Sequence, residues 1–138
     1  MEVSEIRRRL RGAIEAARRE AQERREKVQG ALAGTLRGMV SQVLLRKLRG
    51  GRIAAREVLI NTPQIASMIV EGKTFQLQAA LESGRRAGMM SFADSLAALV
   101  REGTVHPSHA YRKAPNREQF LAALRRDGID TSVAERVG

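Results

Sequence analysis

Apolar residues recur at spacings of three and four from the start of the chain. Val3, Ile6, Leu10, Ala13, Ala17 and Ala21 fall on one face of a helix predicted over residues 2 to about 29. Glu15 with Arg18 and Arg19, and Glu20 with Arg24, add pairs at helical spacing. The stripe is narrow and thins to alanine. Such a helix needs a partner, in this chain or in another copy. Gly30, Gly34 and Gly38 follow at intervals of four. The segment is too short and too polar for a membrane helix pair. A second helix is predicted from about 31 to 43, with Leu32, Leu36, Met39, Val40 and Val43 inward.

The period then shortens. Val43 to Leu48 and Arg52 to Ile60 read as two strands around Arg49-Gly50-Gly51, where glycine permits positive φ. Ile53, Ala54 and Ala55, then Val58, Leu59 and Ile60, are apolar nearly throughout. That predicts a strand covered on both faces, with Arg56 and Glu57 needing solvent or partners. Asn61-Thr62-Pro63 reads as a helix start, and Gly72 as its stop. Thr74 caps a helix from Phe75 to about Arg86, bracketed by Gly84 and Gly88. Ser91 and Asp94 open a third helix with Phe92, Leu96, Leu99 and Val100 inward, and Gly103 closes it. Pro107 opens a short helix to Lys113, Asn116 caps a last one to about Asp127, and 128–138 reads as a flexible tail.

The expected fold class is therefore mostly α with a β-hairpin. The segments are an amphipathic charged helix over 1–29, a helix plus hairpin over 30–61, and a helical subdomain over 62–127.

Composition narrows the chemistry. The chain has 138 residues, enough for one domain or a large piece of one. One Tyr, three Phe and no Trp leave packing to aliphatic residues and alanine. Without cysteine there is no disulfide framework and no thiolate metal site. No apolar run approaches the ~20 residues that span a bilayer, and no signal peptide is visible, so a cytoplasmic location is expected. The formal net charge of +10 would suit nucleic acid. Arg7, Arg8, Arg9 and Arg11 form the densest basic cluster, but interspersed Glu and missing aromatics argue against a nucleic-acid arm.

Two motifs invite catalytic readings. Gly72-Lys73-Thr74 matches the end of a phosphate-binding loop, whose first glycine would fall at Ser67. Between them lies the helical run Met68-Ile69-Val70-Glu71, so a helix stop followed by a cap explains the tripeptide better. His106 and His109 flank Pro107 without the further ligands that a metal needs. No nucleophile has a paired base. Neither catalytic residues nor a cofactor or metal site is expected.

Three pieces together carry a resemblance. Leu36–Lys47 (LRGMVSQVLLRK), Gly50–Pro63 (GGRIAAREVLINTP) and Ser83–Val105 (SGRRAGMMSFADSLAALVREGTV) resemble the C-terminal region of the PilT-type twitching-motility ATPases. These are type IV pilus retraction motors within the type II/IV secretion ATPase superfamily. The resemblance spans roughly Lys27 to Leu124. It implies that Leu36–Ile60 is the last helix and hairpin of a RecA-like core, and that Thr62 onward is a helical C-terminal subdomain.

Full-length members are hexameric cytoplasmic ATPases at the cytoplasmic face of the inner membrane, and their Walker motifs precede this region. No Walker A or B motif occurs in the chain, so it is not expected to be an enzyme on its own. Retraction motors carry an Ala-Ile-Arg-Asn-Leu-Ile-Arg-Glu helix after the "TP". The chain has Gln64, Ile65, Ala66, Ser67, Met68, Ile69, Val70 and Glu71 there. Ile65, Ile69 and Glu71 match, while both arginines are replaced, by Ala66 and Val70.

The resemblance thus implies a non-catalytic module that works through protein contacts. Its partners would be motor ATPase subunits or its own copies, and the pilus platform protein of the inner membrane. The alternatives are a stand-alone helical adaptor that uses the 2–29 helix and, less well supported, a basic nucleic-acid binder.

Overall fold

A computed structural model describes residues 3–136, and side chains from residue 5. The chain is mostly helical with one two-stranded antiparallel sheet. The element order is α1 (Val3–Thr35), β1 (Gly38–Arg46), β2 (Arg52–Ile60), α2 (Pro63–Val70), α3 (Leu77–Ser83), α4 (Phe92–Arg101), α5 (Pro107–Lys113), α6 (Arg117–Arg126) and α7 (Ser132–Glu135). It divides into two compact units. One holds the chain up to Leu36 together with Asn61–Thr74, and the other holds Arg37–Ile60 and everything from Phe75.

In the first unit, α1 is a single helix where two were expected. Gly30 and Gly34 lie inside it, with open space where a Cβ would stand. Glycine in a helix interior costs about 1 kcal/mol relative to alanine but does not force a break. The expected second helix over 31–43 is therefore corrected. Its first part continues α1, and its last part is strand. The Glu20–Arg24 pair forms at 2.6 Å, and Glu5 pairs with Arg8 and Arg9. Ile6 and Leu10, which should mark the covered face, are exposed, as are Ile14 and Leu32. Ala33 near the C-terminus of α1 is buried.

The second unit carries the larger core. Leu45 and Ala55 of the hairpin pack with Leu96, Leu99 and Val100 of α4, Val105, Ala110 of α5, and Phe120, Leu121 and Leu124 of α6. The hairpin is longer than expected on its first side. The nine residues of β1 pair with the nine of β2, from Gly38↔Ile60 to Arg46↔Arg52. Gly38 opens the strand because the Leu59 carbonyl oxygen lies 2.9 Å from where a Cβ would stand.

Odd-numbered residues of both strands share the core face, ending in the buried Leu45, Ala55 and Leu59. The even-numbered face of β2 is only partly covered: Ala54, Val58 and Ile60 are half-buried and Arg52 and Arg56 exposed, so the cover expected on both faces of Arg52–Ile60 reaches full burial only on the odd one. Met39 and Val40, expected inward, are exposed. Glu57 finds its partner in α4, while the Arg56 side chain is exposed and only its backbone N–H is engaged there. The Arg56 N–H donates to Ser95 Oγ at 2.9 Å, and a Glu57 carboxylate oxygen accepts from the Phe92 N–H at 3.3 Å.

Beyond the hairpin the expected elements form, with three adjustments. Phe75 is 78% exposed, because a 3-10 turn over Thr74–Gln76 precedes α3. A second 3-10 turn over Gly84–Ala87 ends at Gly88 with φ +92° and replaces the last turn of the predicted helix. The expected tail is ordered through Glu135: α7 buries Ala134 completely. Residues 137 and 138 lie outside the described residues.

Candidate interaction helix

The residues singled out from sequence, Gln64 to Glu71, form α2 and its C-terminal cap. Local chemistry fixes both ends. Thr62 Oγ1 accepts from the Ile65 N–H at 3.3 Å, and Pro63 occupies the first turn, where its missing N–H leaves nothing unsatisfied. At the other end, the Lys73 N–H donates to Met68 O at 2.9 Å and the Gly72 N–H to Ile69 O at 3.2 Å. With Gly72 at φ +69°, this is a Schellman closure. It accounts for Gly72-Lys73 as a helix stop, whereas the cap expected of Thr74 does not form: α3 begins after Gln76 with no side-chain cap bond.

The two faces of α2 differ sharply. Ile65 is fully buried and Ile69 nearly so, while Met68 and Ala66 are half-buried. Gln64, Ser67, Val70 and Glu71 are exposed, Val70 by 53%. Glu71 pairs with Lys73 at 2.7 Å. The helix is seated against α1. Just before it, the Asn61 side-chain amide donates to Ala33 O at 3.0 Å and Leu36 O at 2.7 Å. Sequence reasoning placed Asn61 in the capping motif of α2, yet its side chain closes the end of α1 instead. The signal was the doubled polar pair Asn61-Thr62, of which one residue suffices to cap α2.

The histidines serve the backbone. His106 Nδ1 accepts from the Ser108 N–H at 3.2 Å as the N-cap of α5. His109 Nε2 accepts from the Arg46 N–H at 3.2 Å, which puts the ring proton on Nδ1. Desolvation, then Arg112, Lys113 and Arg46, pushes the His109 imidazole below its usual pKa.

A further network was legible only as a cap. Ser91 Oγ accepts from the Asp94 N–H at 3.2 Å, as the motif predicted. The Asp94 carboxylate then takes a two-pronged contact from Arg85 at 2.9 and 3.1 Å and another from Arg126 at 2.7 Å. Burial alone would raise its pKa, but the two guanidiniums outweigh that and hold it below the ordinary value. These contacts join the Gly84–Ala87 turn, α4 and α6.

Comparison with known proteins identifies the matched region. Over 98 residues the chain is 36% identical to the type IV pilus retractation ATPase PilT of Pseudomonas aeruginosa, covering 71% of this chain and 28% of that protein. A twitching motility protein of Neisseria gonorrhoeae is 38% identical over 97 residues, or 70% of this chain and 26% of that one. The chain is homologous to the C-terminal part of the PilT-type twitching-motility ATPases.

A crystal structure of the pilus retraction motor PilT with bound ADP superposes with a TM-score of 0.63 at 28% identity, over 70% of this chain and 26% of that one. The Escherichia coli protein YggR is 42% identical over 98 residues, 67% of this chain and 30% of its own length. No family model matches the chain. The chain thus spans under a third of the length of the PilT-type relatives it matches. Of the positions that the sequence resemblance pairs with the retraction-motor helix, Ile65 and Ile69 are buried, Ala66 is half-buried and Val70 exposed. Among the described residues no helix is long and apolar enough to cross a membrane.

Proposed function

We propose that this chain is a non-catalytic module of the PilT type that works through protein contacts, with α2 as its docking helix. The observation that carries the reading is the split in α2. The buried half of the PilT-type helix is retained, so the helix is held in place, while its outer half is exposed and recast. An exposed Val70 beside Ser67 and Gln64 gives a face of mixed, largely uncharged character, suited to packing against another protein. The match to PilT covers only its C-terminal part, which supports a role without nucleotide chemistry in this stretch. Motor ATPase subunits are the first partners this implies. The site of action would be the cytoplasmic face of the inner membrane, beside the pilus platform protein.

A second reading has its own observation. Ile6, Leu10 and Ile14 of α1 form an exposed apolar stripe, which suits an adaptor that docks through its long helix, on a motor or on a second copy.

The test is a titration of labelled full chain with a purified PilT-type motor, with ATP turnover followed in parallel. The proposal expects saturable binding and no hydrolysis by the chain alone. Loss of binding on Val70→Glu favours α2, and loss on Leu10→Glu favours α1. ATP hydrolysis by the chain alone, or no binding, overturns it.

A further inference from the structure

The two outer edges of the hairpin are treated differently. The Lys47 N–H donates to Gly51 O, which makes the odd-numbered pairs the bonded ones and turns even-numbered backbone groups outward. On β2 the middle of this edge is engaged: Val58 exchanges two bonds with Met90, and the Arg56 N–H reaches Ser95, while Ala54 has no such partner among the described residues. On β1, among the described residues, only the Arg46 N–H is taken, by His109. The N–H and C=O groups of Val40, Gln42 and Leu44 have no partner among the described residues. A free edge of this kind is a template for another strand, and this one lacks the usual guards: it carries no proline, no bulge and no inward charge.

Side chains specify what would pair there. Val40 and Leu44 lie on the even-numbered face, 64% and 49% exposed. Where the edge ends, Leu44, Arg46, Arg52, His109 and Lys113 line an open cleft of about 380 Å³. Arg46 and Arg52 are direct register partners on one face, an arrangement that repels. Neither has an acidic partner among the described residues, and no carboxylate lines the cleft.

We propose that the outer edge of β1, from Gly38 to Leu44, docks an extended acidic segment of another protein. Its backbone would pair with Val40, Gln42 and Leu44. Its apolar side chains would cover Val40 and Leu44, and its carboxylates would enter the cleft between Arg46, Arg52 and Lys113. Main-chain pairing supplies affinity in such strand addition, and the side chains supply selectivity. The inference goes beyond the proposed function and uses no residue of α2. A second copy of this chain fits less well, since it would bring net positive charge to a positive cleft.

The probe is a short synthetic peptide that alternates Val and Thr and ends in three glutamates, titrated into the full chain by fluorescence anisotropy. A version ending in lysines serves as control. The acidic peptide is expected to bind, to protect the Val40, Gln42 and Leu44 amides from exchange, and to weaken as salt rises. Gln42→Pro should weaken it by about tenfold or more, because proline removes an outward donor without touching the bonds to β2. Lys113→Glu, outside the hairpin, should weaken the acidic peptide and spare the lysine control. Equal binding of both peptides, no binding, or binding that leaves those amides unprotected would overturn the proposal. So would concentration-dependent self-association that Gln42→Pro abolishes.

Discussion

The Asn61 side-chain amide donates 2.7 Å to the carbonyl oxygen of Leu36, and reaches the Ala33 carbonyl with its other hydrogen. The Ala33 carbonyl lies in the last turn of α1 and the Leu36 carbonyl just past it, where helical carbonyls run out of partners. Asn61 therefore joins the end of one helix to the start of another within the same unit. Removing the amide in Asn61→Ala should cost about 1–2 kcal/mol, read from urea unfolding. Asn61→Asp should cost more at neutral pH. It would set a carboxylate against two carbonyl oxygens at the negative end of a helix. Those neighbours raise the folded-state pKa of the new carboxyl, so the excess cost should shrink as pH falls through that raised value. Equal cost for both variants at all pH would contradict the assignment.

The two faces of α2 make a second contrast. Ile65→Ala empties a fully buried site and should destabilise by about 2–5 kcal/mol. Val70→Arg, which restores a charge at an exposed position, should change stability by no more than about 0.5 kcal/mol. Thermal or urea unfolding of the two variants checks the pair.

Asp94 links stability to pH. Its folded pKa is lowered from 3.8 by the Arg126 and Arg85 contacts, which prevail over the opposing effect of burial. A carboxylate with a depressed folded pKa contributes stability that is present above its unfolded value and is lost as pH falls through the folded one. The urea midpoint should therefore fall on acidification below about pH 4, and fall less steeply in Asp94→Asn. Parallel slopes for the two proteins would remove Asp94 from the account.

His109 gives a spectroscopic handle. Desolvation, followed by Arg112, Lys113 and Arg46, sets its folded pKa below 6.5. The folded state resists protonation there, so stability contributed by neutral His109 is present above the unfolded value and declines as pH falls through the folded one. An NMR titration should show its ring titrating below 6.5, with the Arg46 amide resonance moving in step as the hydrogen bond to Nε2 is lost. An Arg46 amide that ignores the His109 titration would contradict that bond.

Much of this was legible in the residues because local chemistry decided it. Thr62-Pro63, Gly72, Ser91, Pro107 and Asn116 each mark a helix end where the chain places one. The span of β2 followed from its aliphatic run and the two turn glycines. The region from Gly30 to Val43 was misread because period and partner disagree there. Leu32, Leu36, Met39 and Val43 keep helical spacing, but β2 extends to Ile60 and draws Gly38 to Val43 into its ladder. The exposed Ile6, Leu10 and Phe75 show the converse, since apolar identity does not ensure a neighbour to pack on. At the candidate helix, the buried pair Ile65 and Ile69 was picked out by the resemblance to the retraction-motor helix. The bridge from Asn61 back to α1 was not, because it spans residues 33 to 61 and depends on how two helices meet.

The central claim, that the outer face of α2 meets a motor subunit, has a direct measurement. The chain contains no cysteine, so Ser67→Cys places a single spin label on that exposed face. Adding a purified PilT-type motor should immobilise the label, and unlabelled chain should compete the effect away. A label that stays as mobile with saturating motor as without it would contradict the claim.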